Sequence, residues 1–201
     1  MSTAATKMSR RLSWLLRHGA IESGLEMDTA GWASVDAVRR LIGCRRGLIE
    51  EIVRDNDKQR LQLRGTRIRC CQGHSPDGVP VTLVGLEASW ALFEGNEPIW
   101  HGTRVKALPE IAERGLLPMG RTHVHLAHSL DSVVGKRSGV AVMLRIDTAH
   151  MRDLGHDVFV SPNGVVLARM VPPAAIDRVR LLSRKAKSQA DAIAAHFPID
   201  P

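Results

Sequence analysis

Apolar residues recur with two different periods along this chain, and the change of period constrains the fold more than any other feature. As far as about residue 53 they fall at helical spacing. In SRRLSWLLRHG, Leu12, Leu15 and Leu16 share one face, which predicts a helix over 8–18. SVDAVRRLIG predicts a second helix: Ser34 is a good N-cap, Val35, Val38 and Ile42 line one side, and Gly43 ends it. GLIEEIVRDND predicts a third, with Leu48, Ile52 and Val53 inward. The period then drops to two. Leu61 and Leu63 alternate, Gly65 turns and Ile68 resumes, so RLQLRGTRIRCC reads as a hairpin.

After a connector rich in Pro and Gly, QGHSPDGVPVTL, strands dominate. They are expected at PIWHGTR, RTHVHLAHS, VAVMLRID, on both sides of Asn163-Gly164, and in VPPAAIDRVRLL. Two helices interrupt them: VKALPEIAERG, with Val105, Leu108, Ile111 and Ala112 inward and Gly115 closing it, and one starting near Ser129. The Ala-rich stretch from about Arg184 reads as a loosely docked helix. The whole is α+β with mainly antiparallel sheets. Three short helices followed by a hairpin are the parts of a winged helix, a fold that often binds nucleic acid.

The charge pattern is compatible with a polyanionic partner. Net charge is +7, and 14 of the 28 basic residues fall in 1–91, so the excess is spread rather than held in an arm. Tyr is absent and aromatics are 3%, which argues against a base-stacking sheet. Cys44, Cys70 and Cys71 are an odd number without a C-x-x-C pair, so neither a disulfide framework nor a zinc site is expected, and a reducing cytoplasm fits. The polar N-terminus lacks the apolar region of a secretory signal, and no apolar run is long enough to span a bilayer.

No phosphate-binding glycine loop, dinucleotide fingerprint, H-E-x-x-H or nucleophile elbow is present, and no carboxylate pair stands out. What stands out is Arg and His at turns and along one strand. Period two puts Arg121, His123 and His125 on one face, which reads as a lined cleft, as a solvent-facing strand side, or as a His-x-His metal pair lacking further ligands. His101 ends an apolar strand just before Gly102. Arg67 and Arg69 share a face, and periodicity does not choose between them. Ser75 and His74 could donate to a phosphate, and Asn163 sits in a hairpin turn where it could face a ligand. Arg17 and His18 could be a helix end complementing the helix dipole, or half of a site. An Arg/His set with no carboxylate base suits a phosphate dianion, which needs no deprotonation to act as a nucleophile.

Eight stretches in order, LSWLLRHG, GLEMDTAGWASVDAV, NDKQRLQL, IRCCQGHS, IWHGT, GLLPMGRTHVHLA, VGKRSGVAVMLRID and SPNGVVLARMVPP, resemble the Tpt1/KptA family of NAD-dependent RNA 2′-phosphotransferases. The resemblance runs from about residue 9 to about 182. It implies a winged-helix, RNA-binding lobe over 1–90, an ADP-ribosyltransferase-like, NAD-binding lobe over 91–184, and a C-terminal tail over 185–201. It also implies a two-step reaction. The RNA 2′-phosphate displaces nicotinamide from NAD+, and the ribose 2″-hydroxyl then attacks phosphorus, releasing 2′-OH RNA and ADP-ribose 1″,2″-cyclic phosphate. No metal is implied. The partners are RNA with an internal 2′-phosphate, as in tRNA splicing, and NAD+ consumed as co-substrate; a monomer is expected.

Carried over motif by motif, Arg17, His18, Arg69 and Arg121 are catalytic, the three arginines clamping the phosphate. His101 holds the NAD ribose, and His125 takes the second place of the transferase triad. Val165 stands where protein-modifying relatives carry Glu. Gly102, Thr103, His74, Ser75 and Asn163 are further NAD contacts. The chain departs from the family pattern at Cys70, Trp100, Ala127 and Val166, none of which is a phosphate-binding Arg. Three rivals follow: an ADP-ribosyltransferase that stops after the first step, a non-enzymatic winged-helix binder, and a metal-dependent phosphoesterase. The retained arginines argue against the first, and intact His101, His125 and Arg121 against the second.

Overall fold

The computed structural model describes residues 3–132 and 139–200. It is a mixed α+β chain with antiparallel sheets, forming two compact units: Met1–Ala91 with Gly120–Thr122 and Ser161–Asn163, and the remainder from Leu92 onward.

In the first unit, helix α1 (Thr3–Trp14) does not stop where its apolar face ends. It widens into a π-helical turn, Leu15–Gly19. The N-cap signals of Ser34 and the C-terminal Gly43 hold in α2 (Val35–Ile42): Ser34 Oγ accepts from the Ala37 N–H, and Gly43 takes φ 67°. Helix α3 spans Arg46–Arg54. Of the expected Leu48, Ile52 and Val53, Ile52 is buried, but its buried partner is Ile49, and Leu48 and Val53 are half-buried. A single helix position separates the two registers, so periodicity alone was a poor guide over nine residues.

Strand β1 (Ala33–Ser34) joins the hairpin of β2 (Leu61–Arg64) and β3 (Arg67–Cys70) as an antiparallel sheet in the order β1-β3-β2. Leu12, Leu16, Val38, Ile49, Ile52 and Ile68 fill the core beneath it. A short helix, α4 (Leu83–Glu87), is capped by Thr82.

In the second unit, β5 (Ile99–Thr103), β7 (Val142–Ile146) and β10 (Ile176–Leu181) form one antiparallel sheet, ordered β10-β7-β5. A second sheet is ordered β4-β8-β9-β6, from β4 (Ala91–Leu92), β6 (Val124–Leu126), β8 (Val158–Val160) and β9 (Val166–Ala168). Trp100 and Ala127 exchange backbone hydrogen bonds of 2.8 and 2.7 Å and so tie β5 to the segment leaving β6. Ile99, Leu126, Leu144, Ile146, Val166 and Val179 make the shared core. Helices α5 (Leu108–Arg114) and α6 (Thr148–Asp153) pack on it. The turn at Asn163-Gly164 forms as predicted, with Gly164 at φ 76°. The helix expected from near Ser129 lies largely outside the described residues, and Ser129–Ser132 form a turn.

The C-terminal stretch is not loosely docked. It forms α7 (Arg184–Lys187) and α8 (Ala190–Ala194), burying Ala186, Ile193 and Phe197 against the core. Val179 donates to the Pro198 carbonyl and accepts from Asp200, so the tail closes the open edge of β10.

Candidate functional site

In the first unit the π turn and the loop QGHSPDG interlock. The Ser75 N–H donates to the Arg17 carbonyl at 2.9 Å, and Ile21 N–H donates to the Gly78 carbonyl at 3.1 Å. Two glycines permit this approach. A Cβ on Gly78 would lie 2.0 Å from the His18 carbonyl oxygen, and one on Gly73 would lie 3.3 Å from the Arg17 guanidinium. A single extra turn residue thus places Arg17 and His18 against the loop, consistent with the frequent placement of π turns at functional sites.

Arg17 is only half-buried, yet its Nε and Nη2 are fully buried and have no hydrogen-bond partner. Buried donors of a cation are costly to leave unpaired. Beside it, His18 Nδ1 lies 2.8 Å from Ser75 Oγ, which in turn lies 3.2 Å from the Gly120 carbonyl. Ser75 has one hydroxyl proton, and a carbonyl can only accept it. The serine oxygen therefore accepts from His18 Nδ1–H, which leaves the lone pair of the neutral ring on Nε2. Burial lowers the His18 pKa below its ordinary value of 6.5, and the charges of Arg17 and Arg121 act in the same direction.

Those shifts set a pH dependence. The unfolded ring takes up protons near pH 6.5 while the folded ring resists them, so His18 makes stability fall as pH drops from about 6.5 towards the lowered folded pKa. In an NMR titration the His18 ring is expected to have its midpoint below 6.5 in unliganded protein. Saturation with inorganic phosphate is expected to raise it, because the dianion offsets both arginines. An unliganded midpoint at or above 6.5 contradicts this geometry.

Arg69 occupies a different place. It is 3% exposed, and its guanidinium lies 4.6 Å from the Trp32 ring centre. Nε donates to Gln62 Oε1, and Nη1 donates to the Ala30 carbonyl and to Ser89 Oγ. The Asp28 carboxylate fixes this corner by accepting from the Ala30 and Trp32 N–H groups and from Arg67. The structure brings Arg17, His18, Ser75 and Arg121 together, with Arg69 held in its own network.

His74 is completely buried, its ring against Gly31, and its carbonyl accepts from Thr122. Asn163 uses its amide internally: Nδ2 donates to the Lys58 carbonyl and Oδ1 accepts from Ser161.

In the second unit, His101 on β5 donates from Nδ1 to the His125 carbonyl on β6 at 3.0 Å. Gly102 has no room for a side chain, since a Cβ would meet Val140 at 2.8 Å. Thr103 ends the same strand, and Val165, 2% exposed, precedes β9. The expected single face of Arg121, His123 and His125 does not form. Strand pairing begins only at Val124, Arg121 belongs to the first unit, and His123 is buried edge-on against Phe159. Among the described residues, no three His, Cys, Asp or Glu side chains are placed to hold a metal ion, and no helix is long and apolar enough to cross a membrane.

Sequence reasoning missed the His18–Ser75–Gly120 chain, because its successive members lie 57 and 45 residues apart and no local pattern links them. It also missed a groove beside Arg17 lined by Ser9, Arg10, Ser13, Trp14, His18 and Arg60. One signal was available: Trp14 falls off the Leu12–Leu15–Leu16 face of its helix.

The family model described as RNA 2′-phosphotransferase, Tpt1/KptA family, matches residues 3–170. A protein of Burkholderia lata named Probable RNA 2′-phosphotransferase is 39% identical over 177 residues, covering 84% of this chain and 88% of the relative. Proteins with the same name are 38% identical in Rhizobium johnstonii, covering 90% and 95%, and 38% identical in Pseudomonas aeruginosa, covering 82% and 91%. With a family match over most of its length and relatives well above 30% identity across nearly their whole chains, this chain belongs to the Tpt1/KptA family of RNA 2′-phosphotransferases.

Proposed function

We infer that the chain removes an internal 2′-phosphate from RNA by transferring it to NAD+. The observation that carries the reading is Arg17. Two buried guanidinium nitrogens without a partner, next to a histidine held in one tautomer, are the chemistry of an anion site. Family membership names the anion.

In this reading the first unit is a winged-helix lobe, built from α1 to α3 and the β2–β3 hairpin. The second is an ADP-ribosyltransferase-like lobe, and the protein works in the cytoplasm. Arg17 and Arg121 grip the phosphate dianion and stabilise the charge that builds on its oxygens during transfer. His18 Nε2 takes the proton of the hydroxyl that attacks phosphorus in the second step. Ser75 holds that ring rather than touching NAD+. Arg69 shapes the floor beneath the loop; a direct place in the clamp would require its guanidinium to leave Ser89 and Ala30.

The donor set of the second unit fits a ribose: a hydroxyl at Thr103 and imidazoles at His101 and His125, with apolar Val165 in place of a carboxylate. NAD+ supplies an electrophilic ribose carbon with nicotinamide as its leaving group. The nucleophile is already an anion, so Val165 has no proton to remove. Incubation with 2′-phosphorylated RNA and NAD+ in the presence of EDTA tests the reading. Release of nicotinamide and of RNA with a free 2′-OH is expected. Accumulation of ADP-ribosylated RNA instead would favour an enzyme that stops after one step.

A further inference from the structure

An open groove of about 370 Å3 runs beside Arg17 and His18 along α1. It has room for one nucleotide-sized ligand. Trp14 is its least expected member, because 47% of this large apolar residue is exposed. One edge of the indole nevertheless rests on the backbone. Its ring edge lies so close over Gly19 that a Cβ there would sit 2.4 Å from Cζ3 and Cη2. Arg10 lies four residues before Trp14, and Ser9 four before Ser13, so each pair shares a stripe of the helix. Arg60 completes the lining from the residue before β2.

The lining therefore holds three guanidinium groups, an imidazole, two hydroxyls and an indole, with no carboxylate. Cations around an exposed aromatic face are what a single nucleic-acid strand requires: charge for its phosphates and a surface for a base. A scarcity of aromatics argues against a multi-base platform, but one base needs only one ring.

We propose that this groove is a subsite for the nucleotide adjacent to the 2′-phosphorylated one, with its base stacked on Trp14 and its backbone phosphate held by Arg10 and Arg60. Ser9 and Ser13 supply hydroxyl contacts to the same strand. The proposal rests on the 2′-phosphate being gripped by Arg17 and His18, which line the same groove.

The test is binding of a fluorescein-labelled, short single-stranded RNA with one internal 2′-phosphate, followed by anisotropy without NAD+. A mononucleotide carrying a 2′-phosphate serves as the competing small ligand. Trp14→Ala is expected to weaken the RNA about 5- to 20-fold and to lower the ratio of RNA to mononucleotide affinity, with Trp14→Phe recovering most of the loss. Arg10→Ala and Arg60→Ala are each expected to reduce the slope of log affinity against log salt by about 0.7. The proposal is overturned if Trp14→Ala binds RNA like the parent, or if it loses RNA and mononucleotide affinity by one common factor. Parent protein that binds the RNA in this Trp14-dependent way yet transfers no phosphate would sink the proposed reaction and leave the subsite standing. Full transfer by a parent whose RNA affinity ignores Trp14 would do the reverse.

Discussion

Replacing Arg17 with methionine is expected to lower phosphate transfer on the order of 10²- to 10³-fold while leaving the protein as stable as its parent, or more so. The two halves of that result have one cause. Arg17 Nε and Nη2 are buried without partners, so the folded protein already bears their desolvation, which the weak contact of the guanidinium with the Cys70 thiol offsets only in part until an anion arrives. Methionine removes the penalty and keeps the apolar stem that lies along Gly73. The backbone carbonyl that accepts from Ser75 is untouched. The loss in rate is the size expected when one preorganised charged donor is withdrawn from a developing oxyanion. Single-turnover rates and thermal melts together check it. A melting temperature several degrees below the parent's would mean that Arg17 is a structural residue.

Arg69→Ala is expected to show the opposite signature, a loss of about 2–4 kcal/mol in stability. Truncation strands Gln62 Oε1, Ser89 Oγ and the Ala30 carbonyl, and it opens the space over the Trp32 ring. Each acceptor left unpaired in a buried site costs about 1–3 kcal/mol, and relaxation recovers part of it. For a chain of this size the melting temperature would fall by about 5–12 °C. Arg69→Lys would keep the charge but not the planar fork, and so rescue only part of the loss. Activity falls in both variants because the β3–loop segment that carries Ser75 is loosened. A fully stable Arg69→Ala protein with no activity would instead place Arg69 on the phosphate.

The contrast between these two arginines marks where the sequence stops being readable. Elements whose signals are local were legible: Ser34 and Gly43 bounding α2, Gly65 in the hairpin, Gly115 closing α5, and Asn163-Gly164 between β8 and β9. The candidate residues Arg17, His18, Arg69, Arg121, His101 and His125 come from motif resemblance, which reports residue type and not surroundings. What the sequence does not report depends on distant partners. Arg69 reads like Arg17 in the sequence, and only contacts 7, 20 and 39 residues away distinguish it. Period two extended a strand back to Arg121 because nothing local shows that pairing with β9 begins at Val124. The tail's three anchors, Ala186, Ile193 and Phe197, stand at i, i+7 and i+11 on one helical stripe, but nothing local shows that this stripe packs against the core of the second unit. The π turn leaves no mark in composition, although it decides how Arg17 and His18 meet the loop.

The most direct measurement of the central claim is a product analysis. RNA carrying a single internal 2′-phosphate is incubated with the protein and EDTA, with and without NAD+, and the RNA and the small molecules are resolved. The account predicts that RNA with a free 2′-OH, nicotinamide and ADP-ribose 1″,2″-cyclic phosphate appear in equal amounts, and only when NAD+ is present. Release of inorganic phosphate without NAD+, or no change in the RNA under either condition, would contradict it.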